Sequence, residues 1–313
     1  LVANELRRNG LAIVAGTIFH DLLDADNQES VLHAVDDICR LITDPKLPTL
    51  KTHDGQKFPT PYMTVMDWGH DERDYAAGHP DTAPRLSDEE WARFMGNVRA
   101  VCERAHALGY TVAAHTESTE GVRIALQNGV DSIEHGAKPD DEILRLFEER
   151  GEFLCATFSP ALPYARFDRA VTHLTEDEQF NGRVVFDGMI ACAKAALAHG
   201  IPVVLGNDTS CQWVAQYDFW RELCYFHEYA GASNACALYC ATGQSARMAG
   251  LGNVTGTLRP GLCADMLVTS ENPLEDLRAL RTLDMVVARG RIIDRPRPKR
   301  NARLDAGLDT LLA

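Results

Sequence analysis

His115, His135 and Asp208 are the residues of this chain whose types and settings could do chemistry, with Glu117 two residues past the first. Each follows or closes a short stretch that reads as a strand. His115 and Glu117 follow the apolar Val112-Ala113-Ala114, His135 ends the strand pattern VDSIEH from Val130, and Asp208 ends the strand pattern IPVVLGND from Ile201. An imidazole or a carboxylate is costly to strip of water, so a buried strand does not end in one without compensation. One such end is a weak signal, because a lone histidine there is most often structural or exposed. Three ends carrying His, His and Asp in a repeating series point to a site. Two neutral imidazoles and a carboxylate suit Zn²⁺ or a similar divalent ion. Asp208 is also suited to take a proton from water that such an ion acidifies to a pKa of about 7.

The elements that must position these residues alternate. Ser87-Asp88-Glu89-Glu90 is a capping box, and Trp91, Phe94, Met95, Val98, Val101, Cys102 and Ala105 follow at helical spacing up to Gly109. A strand is then expected over 111–115, a helix over 119–128, a strand over 130–135, a helix over 139–150 and a strand over 153–157. A long loop over 158–178 precedes a helix over 181–199 and a strand over 201–208. Two upstream strands are expected over 11–16 and 62–66. This alternation implies parallel pairing with right-handed crossovers. A doubly wound sheet could use six strands, but it binds at one switch point, typically with a Gly-rich turn. No GxGxxG or Walker sequence occurs. The polar residues instead sit at the C-terminal ends of several strands, where barrels build their sites. The expected fold is therefore α/β, a (β/α)8 TIM-type barrel over 1–250 whose first two strands are missing from this chain. "GTLRPGLCADMLVT" (256–269) and "LDMVVARGRIID" (283–294) read as hairpins, so 251–313 is expected to hold a small β-element outside the barrel.

The balance of charge narrows the partners. With 31 Lys and Arg against 45 Asp and Glu, the net charge of −14 leaves no basic surplus for nucleic acid or an anionic membrane. The basic stretch Arg295–Arg303 is too short to reverse that. No apolar run approaches the roughly 20 residues of a membrane-spanning helix. Nine cysteines without a CxxC pair are expected to be reduced, buried thiols of a cytoplasmic protein. A small-molecule substrate is the expected partner. The chain opens on Leu1 with no signal-peptide pattern, and it is expected to be cut into.

"VAAHTESTEGVRIALQNGVDSIEHG" (112–136), "VVLGNDTS" (203–210) and "GTLRPGLCADMLV" (256–268) resemble the amidohydrolase superfamily, in its imidazolonepropionase-like and Xaa-Pro dipeptidase-like branch. The resemblance is specific in those stretches and diffuse before residue 85. It implies a metal-dependent hydrolase on a distorted barrel flanked by a β-sandwich, often in a homo-oligomer. It assigns His115 and His135 as the metal-binding histidines of barrel strands five and six. Asp208 becomes the strand-eight ligand and general base, and Asp265 a structural residue of the sandwich. Zinc or another divalent metal, as one or two ions, is the implied cofactor. Two departures bear on the ion count. No HxH pair occurs anywhere in the chain, and Thr64 stands where many members carry a carboxylated lysine. Threonine cannot form a carbamate, so one ion is favoured. Lys46, Lys51 and Lys57 lie nearby, but none is on a strand pattern. On this reading residues 1–9 end the helix after barrel strand two.

Further residues are expected at the same mouth. His20, His70 and Tyr164 are the candidates for substrate binding. Asn207 and Thr209 are expected to orient Asp208, while Trp213, Phe219 and Trp220 are expected to pack. Glu134 is expected to point away from the site, since strand neighbours alternate. The reaction this favours is cleavage of a C–N bond in a small amide, cyclic amide or dipeptide-like substrate. Two other readings stand beside it: a degenerate homologue serving as a non-catalytic binding or assembly subunit, and a hydrolase of a lactone or other ester. Specificity is expected from the loops 67–86 and 158–180.

Overall fold

Strands of three to six residues are too short to stand alone and here pair side by side. The computed structural model describes residues 2–9, 11, 13, 15–24, 27–42, 44, 46–47, 62–67, 82 and 84–312. Among them, β1 (Ala15–His20), β2 (Tyr62–Asp67), β3 (Thr111–Thr116), β4 (Ser132–His135), β5 (Phe153–Ala156) and β6 (Val203–Leu205) form one sheet. Every pairing is parallel, and the strand order follows the chain order from β1 to β6. A doubly wound sheet reverses direction at a switch point. An unreversed order fits a TIM-type barrel instead.

The register separates two faces. Ala114, Ile133, Leu154 and Val203 stand in one row, and His115, Glu134, Cys155 and Val204 in the next. The first row is apolar and meets the helices: a Cβ on Gly136 would touch both Leu154 Cδ1 and Cys192 Sγ. The second row therefore looks away from that helix layer. Thr64 stands opposite Ala113, two residues before His115, and so shares the face of His115.

The helices are α1 (Val2–Asn9), α2 (Gln28–Ile42), α3 (Asp88–Ala107), α4 (Thr119–Gln127), α5 (Asp141–Arg150), α6 (Phe158–Arg166), α7 (Arg169–Thr172), α8 (Glu176–His199) and α9 (Phe219–Ala230), with shorter turns after them and α10 over Asn234–Tyr239. The capping box at α3 is present in both directions: the Ser87 amide donates to Glu90 Oε2 at 2.7 Å and the Glu90 amide to Ser87 Oγ at 3.3 Å. Gly151 and Gly200 end α5 and α8 in the left-handed conformation.

Three sequence expectations need correction. The first strand starts at Ala15, not at residue 11, because pairing with Tyr62–Asp67 fixes its place rather than the apolar peak before it. The expected loop 158–178 holds α6 and α7, and α8 begins at Glu176. Thr175 and Glu178 form a second capping box that sets that start. The sixth strand is only Val203–Leu205, so Asp208 lies beyond its end.

A separate antiparallel sheet holds β7 (Met266–Val268), β8 (Met285–Ala288) and β9 (Arg291–Asp294). Arg289 and Gly290 join β8 to β9 with φ of 50° and 77°, the paired positive values of a tight hairpin turn. Asp265 braces this sheet, accepting the Arg289 amide and the Thr255 hydroxyl, each at 2.7 Å. The helix Ala302–Asp309 packs back on α9 through Arg221, which is 1% exposed and lies 2.8 Å from Asp309. Among the described residues no helix is long and apolar enough to cross a membrane.

Candidate metal centre

β3 delivers His115 at its C-terminal end, on the face away from the helices. By alternation His135 would fall on the opposite face, since it stands in register with Thr116. It does not, because its φ is 70°. That left-handed turn swings the ring back over the strand end. The His115 and His135 rings meet edge to face with centroids 4.6 Å apart. Alternation also carries Glu117, two residues past His115, to the same mouth. One donor atom each from His115, Glu117 and His135 lie within 4.8 Å of one another. The same left-handed turn corrects the expectation for Glu134. It shares the row of His115, where its carboxylate accepts the Ser132 hydroxyl at 2.7 Å.

Burial sets the charge state of these groups. His135 is 5% exposed, and lost hydration followed by the His115 ring drives its pKa down to about 4, against an opposing pull from Asp208. Burial lowers His115 too, with Asp208 again opposing. Both rings are therefore neutral near pH 7 and offer lone pairs. Glu117 is exposed by area but its carboxyl is hemmed in by protein, so lost hydration and then the Asp208 charge raise its pKa.

Asp208 acts on all three groups through its charge, but it is not one of the three within 4.8 Å. Its own φ is 51°. Its Oδ2 accepts the Cys211 thiol at 3.1 Å. Burial and that bond push the Cys211 thiol up to about 12, so it stays a donor. Thr209 donates to Asn207 at 2.8 Å rather than to Asp208.

The other candidates are dispersed. His20 ends β1 half-buried, in register with Asp67. Tyr164 lies on α6 rather than in a loop, and its hydroxyl donates to Gln212 Oε1 at 3.1 Å. Burial first, then the neighbouring Cys211, raises the Tyr164 pKa. His70, Lys51 and Lys57 lie outside the described residues, as does most of the 67–86 loop, while Lys46 is exposed on a turn. Trp220 is 5% exposed under the Arg221 guanidinium at 4.5 Å, and Trp213 meets Phe167 at 5.3 Å, as packing residues do. A cavity of about 350 Å³ lies beside the His115 end of β3, with Leu22, Trp91 and Phe94 among its apolar walls and Asp67, Glu117 and Glu120 among its acids.

Sequence reasoning undervalued Glu117 and missed Thr157 and Glu222. The spacing of His115 and Glu117 on one strand end was the available signal for the first. Thr157 accepts or donates at His135 Nδ1, 2.5 Å away, and nothing local in sequence marks that contact. Two imidazoles held neutral and a carboxylate in one cluster are a donor set that fits a divalent cation.

Comparison with known proteins agrees with the fold. The crystal structure of a Bifidobacterium longum protein assigned as a prolidase aligns with a TM-score of 0.71 at 31% identity, covering 99% of this chain and 80% of that one. A Xaa-Pro dipeptidase crystallised with methionine in its active site shares the fold, with a TM-score of 0.68 at 22% identity over 94% of this chain and 71% of that one. Ochratoxinase from Aspergillus niger is 26% identical over 185 residues, which is 59% of this chain but only 37% of the ochratoxinase. The model of the amidohydrolase family matches residues 8–293, and the chain belongs to that family.

Proposed function

We propose that this chain is a metal-dependent hydrolase that cleaves a C–N bond in a small amide, cyclic amide or dipeptide-like substrate. The observation that carries this reading is the convergence of His115, Glu117 and His135 donor atoms within 4.8 Å at the strand ends. Membership of the amidohydrolase family and the likeness to a protein assigned as a prolidase and to ochratoxinase support amide or peptide bonds as the target. Xaa-Pro dipeptides and ochratoxin are accordingly the first substrates to assay.

In this reading His115 and His135 hold the ion, with Glu117 or Asp208 completing its oxygen ligands. Zinc fits the donors, and a single ion fits Thr64, which offers no amine for a bridging carbamate. A bound divalent ion would supply Lewis acidity toward the scissile carbonyl and toward the attacking water. Asp208 accepts the water proton and returns it to the leaving nitrogen. Cys211 holds the Asp208 carboxylate by one oxygen and leaves the other to the water. His20, His70 and Tyr164 contact the substrate. The six-stranded sheet forms part of a (β/α)8 barrel over 1–250, and the three-stranded sheet part of a flanking sandwich over 251–313. The protein works as a cytoplasmic homo-oligomer.

Asp208→Asn tests the assignment. Metal content measured by plasma mass spectrometry should stay near that of the parent or fall modestly, while turnover of the best substrate collapses. Unchanged turnover in that variant excludes Asp208 as the base, and a parent that binds no divalent ion excludes the metal reading.

A further inference from the structure

The N-terminus of α6 is held from outside its own sequence. Its cap residue, Thr157, makes no side-chain bond to the helix. Glu222 of α9 takes over that task. Fully buried at 0% exposure, it accepts the Phe158 amide at 2.6 Å, the Ser159 amide at 2.7 Å and the Ser159 hydroxyl at 2.5 Å. All three partners are donors, and the acceptor faces the positive end of the helix.

This cap has a geometric consequence at the metal centre. The Phe158 amide lies in the peptide plane that ψ of Thr157 sets. Thr157 has φ −143° and ψ 80°, outside both helix and strand values. Fixing the amide on Glu222 fixes that plane, and with it the place of the Thr157 side chain. Gly206 closes the other side, since a Cβ there would come within 3.0 Å of the Thr157 methyl. The hydroxyl, released from capping, meets His135 Nδ1 at 2.5 Å. Thr157 is 3% exposed and His135 5% exposed, so bulk water has no access to compete for that contact.

We infer that Glu222 and Thr157 are positioning residues that fix the His135 ring, engaging Nδ1 and leaving Nε2 as the nitrogen that offers its lone pair to a cation. The inference rests on the reading of His135 as a ligand. An imidazole that coordinates through Nε2 carries its proton on Nδ1, and that proton needs an acceptor. Thr157 Oγ1 is that acceptor, and Glu222 keeps it in place without touching the ring.

The test uses the whole chain with ¹⁵N-labelled histidine. Nitrogen chemical shifts of His135 in the chelated protein should report the Nδ1–H tautomer. Thr157→Val keeps the shape and removes the acceptor. It should give a mixture of tautomers and weaken Zn²⁺ binding, measured by competition with a chelating dye, by about 10- to 100-fold. Thr157→Ser should restore both, which guards against a folding failure in the valine variant. Glu222→Gln leaves the hydroxyl present but replaces one acceptor oxygen by a donor, and it should fall between parent and valine variant in both readouts. A parental tautomer and parental Zn²⁺ affinity in Thr157→Val would overturn the inference. If His135→Asn abolishes Zn²⁺ binding while Thr157→Val and Glu222→Gln leave it intact, the metal reading stands and the positioning role fails. If the parent binds no Zn²⁺ but its tautomer is lost in Thr157→Val, the positioning role stands and the metal reading fails.

Discussion

His135 and Glu222 should make opposite contributions to stability over the same range of pH. The perturbation is a pair of single variants, His135→Asn and Glu222→Gln, in protein stripped of metal. Burial holds His135 near 4, below the ordinary value of 6.5, so the unfolded chain binds its proton first as pH falls. Its contribution is fully present above pH 6.5 and is lost as pH drops toward 4. Burial holds Glu222 near 7, above the ordinary value of 4.5, against the pull of its Ser159 and Phe158 bonds. There the folded state binds its proton first. The burden of the buried charge is full above pH 7 and is relieved as pH drops toward 4.5. Each shift, carried through the linkage relation between about pH 7.5 and pH 5, changes stability by about 2 kcal/mol, in opposite directions. The two nearly cancel in the parent. Urea unfolding at half-unit steps of pH should show His135→Asn gaining stability relative to the parent as pH falls, and Glu222→Gln losing it. Differences from the parent remove the raised carboxyls Glu117 and Glu152, which remain in every variant. A difference between parent and His135→Asn that stays constant from pH 7.5 to pH 5 would refute the claim that this ring is buried uncharged.

Other perturbations follow from single contacts. Gly136 has φ 83°, and a Cβ there would meet Cys192 Sγ and Leu154 Cδ1 at 2.9 Å. Gly136→Ala should therefore lower stability by about 1–3 kcal/mol and shift the adjacent His135, seen as a fall in both the unfolding midpoint and Zn²⁺ affinity. Arg221→Met removes the buried cation between Asp218 and Asp309, which keep Arg300 and Arg281 as partners, and should destabilise by about 1–3 kcal/mol, read by urea unfolding. Leu154 is 0% exposed in the sheet, and Leu154→Ala should lose about 2–5 kcal/mol by the same measurement. Dialysis against a chelator should abolish hydrolysis, and Zn²⁺ or another divalent ion should restore it; activity that survives full metal removal would sink the proposed chemistry.

Much of the sheet was legible because its signals are local. The apolar run Val112-Ala113-Ala114 and the box Ser87–Glu90 lie within a few residues of the elements they define. Thr175 and Glu178 carried the same box signal for α8, which the two prolines and polar residues before it obscured. The start of α6 was not legible, because its cap comes from Glu222, 64 residues away from Phe158. Strand β1 was displaced for a related reason: hydrophobicity marks where a strand wants burial, while its partner decides which residues pair. At the site, residue type and strand end were enough to nominate His115, His135 and Asp208. Direction was not readable: alternation counted back from an inward-facing His135 put Glu134 on the wrong face, whereas the register sets Glu134 beside His115 and only the left-handed turn brings His135 to the same side.

That failure of alternation is itself informative. A regular parallel sheet would send His115 and His135 to opposite faces, and no cation could touch both. The observed convergence depends on the φ of 70° at His135, and left-handed values recur in the loop after β6, at Asp208 (51°), Ser210 (95°) and Trp213 (71°). Histidine and aspartate tolerate the left-handed region better than most side chains, whereas tryptophan there is a true outlier. Strain of this kind persists only where packing over-determines the backbone. Here the anchors are visible: Thr157 on His135, Cys211 on Asp208 and Phe167 against Trp213. One of these distortions brings the His135 ring to His115 and Glu117, and Asp208 acts on all three through its charge. A cluster that gathers donor atoms from separate strand ends requires the turn at His135, and without it the His135 and His115 rings would face opposite sides of the sheet.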